Sequence, residues 1–523
     1  SPWLKPQPSA QKVPTSCLRS LPTMENNQSV PVQTELEEVK EMIVVGGGPV
    51  GLLGALASAK FVQVTVYERF SGHEPVEARS INLTLGRRGL KALETVVSPS
   101  CYRAIQELGQ PVAGRQVHEA GKEPVFQRYG LDDTERLLSV PRAELHRLLM
   151  QEAQGHQKIS IYWGHKLCPE RSWRDAEGNT ELVFMREGET DKVIRPSCPI
   201  LACDGSRSGM RKMISKANLA TVVEADEEHS YMELQVPSGA DVPSNECLHV
   251  FPGGDHWVIL LPNKEGPLTG NLYMTHAAFE DFSKSREGYE RCREFCETHY
   301  LQVSKWIGLD EMVRQIATKP KGKLSSVTME QWAFGGEAPL LFLGDACHAM
   351  PPHLGQGVNC GFEDVLCIFT QMGAFPTVEA LFEAVEKERK PCADALLRMT
   401  RTNQQVLSKD AKLLDFQAKK CIEKELERLF RRQYRSQYAL IAFGWGPLTY
   451  SVAEQLGQEQ QRVLDTLLKI CGEHFTEKEL KVAAEPLIRG LLPRQKELLG
   501  VGLHDIFENF EPQMGAAASK GGA

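Results

Sequence analysis

Residues 42–45 are apolar without interruption and stop at a glycine cluster. So short a run, apolar on both faces, predicts a strand covered on both sides, as in a parallel sheet. A helical pattern follows to about Lys60, and residues 62–67 then form a second mostly apolar, strand-like run. Apolar runs alternate with helical periods to about Met213, the rhythm of strand–helix–strand units. Between about Ala220 and Val327 the pattern turns strand-rich, as in residues 231–236 and 257–261. The first rhythm returns after Leu340, and from Thr377 the chain is helical, with charge-laced stretches such as residues 419–432. No internal repeat is evident. The prediction is an α/β, Rossmann-like nucleotide fold, interrupted by a sheet-rich insertion and finished by a helical region.

The uncharged stretch 436–453 is the best candidate for a membrane span, but Gly444, Gly446 and Pro447 break it below the roughly 20 apolar residues a span requires. It reads as a broken, buried helix pair. Residues 1–23 hold five prolines and three basic residues without an acid, and 513–523 are rich in Gly and Ala. Both ends are expected to be tails outside the fold.

Composition narrows the function. Sixty Lys+Arg against 68 Asp+Glu give a net charge of -8, which excludes a broadly basic face for nucleic acid or an anionic membrane. A content of 41% hydrophobic and 24% charged residues excludes wholesale disorder. The 14 cysteines are irregularly spaced and read as reduced thiols. Cys292 and Cys296 have only His299 nearby and no second ligand pair, so no metal is expected.

Gly46, Gly48 and Gly51 follow the first strand in G-x-G-x-x-G spacing, and Glu68 closes the second. The glycines permit a tight turn, close approach of backbone N–H groups to a pyrophosphate, and tight helix packing; the acid can bond a ribose hydroxyl. Two later segments have the same form of apolar run followed by a polar turn. Residues 200–203 deliver Asp204-Gly205, with Ser208 and Arg211 after it. Residues 340–343 deliver Gly344-Asp345, then His348, Pro351, Pro352 and residues 355–359, Gly-Gln-Gly-Val-Asn.

With these three motifs in order, the chain resembles the single-component FAD-dependent aromatic hydroxylases, the para-hydroxybenzoate hydroxylase-like family. The resemblance implies that Asp345 binds the flavin ribityl chain and that Asp204 serves both FAD and NADPH. It also implies that Pro352, Gly355, Gln356 and Gly357 line the flavin's reacting face, with Val358 and Asn359 as further cofactor contacts. Arg142, in Ser139-Val140-Pro141-Arg142, resembles the family's flavin-contacting arginine. His348 reads as structural.

Segments 79–83, 138–140, 231–234, 248–252 and 355–364 resemble the kynurenine 3-monooxygenase branch in particular, across residues 42 to about 370. That likeness implies an aromatic amino-acid substrate whose carboxylate is held by Arg115, Tyr129 and Tyr438. It implies transient NADPH as donor and O2 as co-substrate, with hydroxylation of L-kynurenine to 3-hydroxy-L-kynurenine, a step of tryptophan catabolism, through a flavin hydroperoxide. The domains expected are a tail, 1–39; an FAD-binding domain, 40–219, with a substrate-domain excursion near 110–135; a substrate domain, 220–330; the second part of the FAD domain, 331–376; a helical cap, 377–512; and a tail, 513–523.

Two departures stand out. The branch carries an Asn-Tyr pair and a Glu-Met-Arg run in its cap helix, where this chain has residues 399–405, Met-Thr-Arg-Thr-Asn-Gln-Gln. Asn403 is the residue placed to substitute. Residues 455–512 are polar and amphipathic, whereas the animal enzymes have a membrane anchor, so a soluble cytoplasmic or mitochondrial protein with no stable membrane span is expected. The alternatives are a related hydroxylase or epoxidase acting on another aromatic or polyene substrate and, in a different class, a flavin-binding protein that signals redox state to a partner.

Overall fold

The computed structural model describes residues 39–71, 82–119, 121–242, 244–265, 268–282, 285–407 and 414–508. The expected tails, apart from residue 39, and residues 79–81 of the family-like segment lie outside them.

The central strand Glu41–Val45 pairs in parallel with Gln63–Tyr67 on one side and Ile200–Ala202 on the other. Ile159–Tyr162 and Leu340–Phe342 extend the parallel sheet outward, and the short Ala333–Phe334 closes one edge antiparallel. Val44, Leu201 and Leu341 are fully buried because helices cover both faces, which is why these strands are apolar on both sides. The chain reverses strand order beside Glu41–Val45, and a crevice opens there at the carboxyl ends of the strands.

The second large sheet has seven strands, in the order Gly322–Met329, Val222–Gln235, Thr269–Thr275, His256–Leu261, Cys247–Pro252, Gly114–Val117 and Val125–Arg128. The last two come from an excursion within the nucleotide-fold half, and Gly114–Val117 pairs in parallel with Cys247–Pro252. Strand alternation divides this sheet cleanly. Met232, Leu234, Val258, Leu260, Leu272 and Met274 pack against the helices Arg286–His299, Leu301–Ile307 and Leu309–Thr318. In strands His256–Leu261 and Thr269–Thr275 the odd-numbered Ile259, Leu261, Asn271 and Tyr273 face the other way.

The long helix Val378–Leu407 leads into the C-terminal helices Leu414–Leu429, Gln437–Phe443, Tyr450–Cys471 and Glu477–Leu499. The stretch 436–453 is indeed broken: Gly444 ends one helix and Thr449 caps the next, with Leu440, Ala442, Leu448 and Tyr450 fully buried. No helix of the described residues is long and apolar enough to cross a membrane.

Candidate active site

The glycine turn follows Glu41–Val45 and opens the helix Pro49–Ser58. Gly46 has φ +105°, and a Cβ there would lie 2.4 Å from the Cys203 carbonyl oxygen; at Gly51 it would lie 1.9 Å from the Gly46 carbonyl oxygen. At Gly48 nothing stands within 4 Å, so the backbone is open on the crevice side. This turn brings backbone to the crevice at the positive end of a helix, an arrangement suited to a pyrophosphate. Glu68 accepts hydrogen bonds from Gly47 N (2.5 Å) and Phe70 N (2.9 Å), which fixes its carboxylate beside the turn.

Two carboxylates approach from the neighbouring strands. Asp204 takes the Met210 N–H on Oδ2 (3.0 Å), while its buried Oδ1 has no partner within the protein. Burial raises its pKa, partly offset by hydrogen bonds from Ser208 and nearby amides. Arg211 ties the Asp204 and Asp345 loops together, donating to the carbonyls of Ser206 (2.7 Å) and Ala346 (2.8 Å). The orphaned Asp204 oxygen, the open glycine turn and the position of Asp345 on the crevice wall make a donor and acceptor set that fits FAD.

One cavity of about 400 Å³ joins the nucleotide turn to the second sheet. Gly48, Arg142, Asp345, Pro352, Gly355, Gly357 and Val358 line it at one end, and Arg115, Tyr129, Asn403 and Tyr438 also line it. The rings of Tyr129 and Tyr438 lie 4.7 Å apart. Burial raises Tyr129 to about 12 and Tyr438 well above its ordinary value, with nearby Arg115 acting in the opposite direction on both. Both phenols therefore stay protonated, and their hydroxyls are hydrogen-bonded to each other. Asn403 donates to the His353 carbonyl (2.9 Å), whereas Arg401 turns outward to Ser326 Oγ (3.1 Å).

Two residues expected at the flavin face have their side chains engaged elsewhere. Gln356 accepts from the Tyr450 hydroxyl (2.9 Å) and does not line the cavity. Asn359 is fully buried; it accepts from Gly86 N (2.8 Å) and donates to the carbonyls of Thr84 (2.8 Å) and Gly355 (3.1 Å). It clamps the loop to strand Asn82–Leu85 rather than presenting an amide to a ligand. Gly355, at φ +64°, has no room for a Cβ beside Thr84 Oγ1, 2.5 Å away.

Behind this loop lies a buried charge lattice. Asp364 bonds His348 Nε2 (2.6 Å), Arg389 Nε (2.9 Å) and Gly344 N (3.2 Å), and Glu363 bridges Arg389 and Arg88 at 2.8 Å each. Burial alone would raise Asp364, but His348 and Arg389 hold it down at about 2. His348, Cys360 and Asp364 have metal-ligand chemistry and lie close together. Arg389 already supplies the cation there, so this is an ion-pair network.

Sequence spacing did not reveal Arg88, Asn82, Tyr231, Asn271, Tyr273 or His353. All but Arg88 line the cavity, and the strand alternation of residues 256–275 is the signal that bears on Asn271 and Tyr273.

A pH effect follows from the buried imidazoles. His118 and His249 are hydrogen-bonded to each other (3.0 Å) beneath the strand that carries Arg115. Burial, together with His249, lowers His118 to about 4; burial lowers His353 to about 4 as well, with His229 adding to it. Their unfolded value is near 6.5, so between pH 6.5 and 4 the unfolded chain binds protons that the folded one refuses. Their stabilising contribution is complete above 6.5 and declines as pH falls through that window. Thermal denaturation should show a Tm several degrees lower at pH 5 than at pH 7, with a smaller drop in His118→Phe. Equal slopes in the two proteins would show that His118 titrates normally.

The parallel sheet, the glycine turn and the two carboxylate loops over a shared cavity define a dinucleotide-binding oxidoreductase. The chain belongs to the FAD-dependent monooxygenases: the family model described as "FAD binding domain" matches residues 39–400. It is 29% identical over 467 residues to the kynurenine 3-monooxygenase of Myxococcus xanthus, covering 87% of this chain and 96% of that one. With the Candida albicans kynurenine 3-monooxygenase it shares 28% over 450 residues, 83% and 94% of the two chains. Among solved structures it resembles 2-methyl-3-hydroxypyridine-5-carboxylic acid oxygenase, with TM-score 0.57 and 17% identity over 71% of this chain and 93% of that one. It also resembles p-nitrophenol 4-monooxygenase from Pseudomonas putida, with TM-score 0.54 and 17% identity over 71% and 90%. At that identity the structural likeness speaks for the fold alone.

Proposed function

We propose that this FAD-dependent monooxygenase hydroxylates L-kynurenine to 3-hydroxy-L-kynurenine, consuming NADPH and O2. The observation that carries the reading is the grouping of Arg115, Tyr129 and Tyr438 on the wall of a cavity that also reaches Gly48, Asp345 and Pro352. An Arg fork offers a carboxylate two parallel charge-assisted hydrogen bonds, and two protonated phenols add neutral donors. The likeness to named kynurenine 3-monooxygenases along most of the chain supports the same substrate.

When bound, FAD accepts hydride from NADPH and activates O2. The protein's own residues then have three tasks. The glycine turn, Glu68, Asp204 and Asp345 hold the dinucleotide. Arg115, Tyr129 and Tyr438 fix the amino-acid end so that the ring is oriented, which supplies rate by positioning. The loop 351–359, held by Asn359, closes the wall and excludes water.

A related hydroxylase acting on another aromatic acid is the second reading, favoured by the outward turn of Arg401 in the departed cap-helix segment.

The test is NADPH oxidation by the FAD-loaded protein with and without L-kynurenine, with mass spectrometry of the product. Strong stimulation and a product heavier by one oxygen are expected. No stimulation from protein that retains FAD would end the kynurenine reading and leave the second.

A further inference from the structure

The cavity has a second polar region that the carboxylate-binding group does not use. Strand Thr269–Thr275 turns Leu272 and Met274 to the helical layer and presents Asn271 and Tyr273 to the cavity. Asn271 is only 4% exposed; its Nδ2 donates to the Tyr273 hydroxyl (3.1 Å), and its Oδ1 has no hydrogen-bond partner. His353, 9% exposed and also on the cavity wall, has an unpartnered Nε2. Its ring lies 6.5 Å from that of Tyr273.

Two unsatisfied polar atoms in one buried wall call for an explanation, because a buried polar atom that nothing ever pairs with keeps its full desolvation cost. An apolar wall would avoid that cost, and the neighbouring Ile259 and Leu261 show that this sheet face accepts apolar residues. The chemistry of the region is neutral. Burial keeps the Tyr273 phenol protonated and the His353 imidazole uncharged at neutral pH. It therefore suits no carboxylate or phosphate. The free amide oxygen is an acceptor, and its complement is an N–H or O–H donor.

We propose that Asn271, supported by Tyr273 and His353, is a specificity-determining residue that accepts a hydrogen bond from an amine or hydroxyl on the substrate's aromatic ring. The cavity thus reads its substrate at two points: the carboxylate through Arg115 and a neutral donor substituent through Asn271. This rests on the aromatic-acid reading above and narrows it to donor-substituted rings. A site built around such a bond rejects the analogue that lacks the donor far more strongly than an apolar pocket can, because its own buried group is then left unpaired.

The test uses the full-length, FAD-loaded protein and follows ligand binding by the perturbation of flavin absorbance. Two matched pairs serve as probes: L-kynurenine with its analogue lacking the ring amine, and 2-aminobenzoate with benzoate. Wild type should favour the amine-bearing member of a pair by roughly 30-fold or more. Asn271→Leu should bring the ratio to within about threefold by weakening the amine compound alone. Tyr273→Phe, which keeps Asn271 but removes the hydroxyl that its Nδ2 bonds, should lower the ratio partway.

If neither kynurenine compound binds but the benzoates show Asn271-dependent preference, the kynurenine reading fails and the donor-reading site stands. Asn271→Leu weakening both members of each pair equally would assign Asn271 a structural role and overturn the proposal. Failure of wild type to prefer the amine in either pair, including failure to bind any of the four, would overturn it too.

Discussion

Asp364→Asn is expected to lower the stability of the protein by about 3–5 kcal/mol, the usual cost of breaking a buried pair and leaving its partner charged, and to release FAD. Asp364 is fully buried and accepts from three donors at once: His348, Arg389 and the backbone of Gly344. An amide has the same shape but half the acceptor capacity and no charge. Arg389, 2% exposed, would keep Glu363, which it already shares with Arg88, as its one charged partner in the lattice. His348 would lose the interaction that raises its pKa against burial. The damage would reach the cofactor because the Gly344 N–H anchored by Asp364 immediately precedes Asp345. Calorimetry with flavin content measured on the same preparation checks this. A Tm within a degree of wild type, with FAD retained, would show that the lattice is dispensable.

Arg115→Met is expected to act on substrate and spare the fold. Arg115 is partly exposed, and its Nε donates to Gln127 Oε1 (2.9 Å), a contact worth little to stability. A substrate carboxylate beside the desolvated phenols of Tyr129 and Tyr438 would lose the guanidinium nearest to them. Truncating one partner of such a pair costs about 3–4 kcal/mol, or roughly 100- to 1000-fold in affinity. KM should rise by that factor with kcat reduced much less, while Tm and flavin content stay at wild-type values. Arg115→Lys should recover only part of the loss, since a single ammonium cannot form the two-pronged contact. An unchanged KM would remove Arg115 from the substrate site.

The local grammar of this chain was legible. Strand, glycine turn, helix and acid fall within residues 41–68, and much of that order rests on local sterics: a Cβ at 51 would meet the Gly46 carbonyl oxygen, and position 46 has a positive φ, although the contact that excludes a Cβ there comes from Cys203. The two other apolar runs ending in Gly or Asp, at 200–205 and 340–345, were readable for the same reason, and they pair on one side of Glu41–Val45. The sequence did not indicate the partners of the Gln356 and Asn359 side chains. A motif gives a residue's position in the chain but not its rotamer, and Tyr450 and Thr84, which engage these side chains, come from distant segments.

The sequence by itself determined the nucleotide turn, the alternation that gives each strand two faces, and the family, since these depend on residues within a few positions of one another. Only the tertiary structure decided which side chains share the cavity. Arg115, Asn271, His353, Asn403 and Tyr438 come from two non-adjacent strands of one sheet, a short turn and two helices, and their approach depends on how those elements pack. The charge lattice of Arg88, His348, Glu363, Asp364 and Arg389 was likewise set by burial. A carboxylate reads the same in sequence whether it meets water or an arginine, and the low-dielectric interior, where only paired charges are tolerated, made these five a unit.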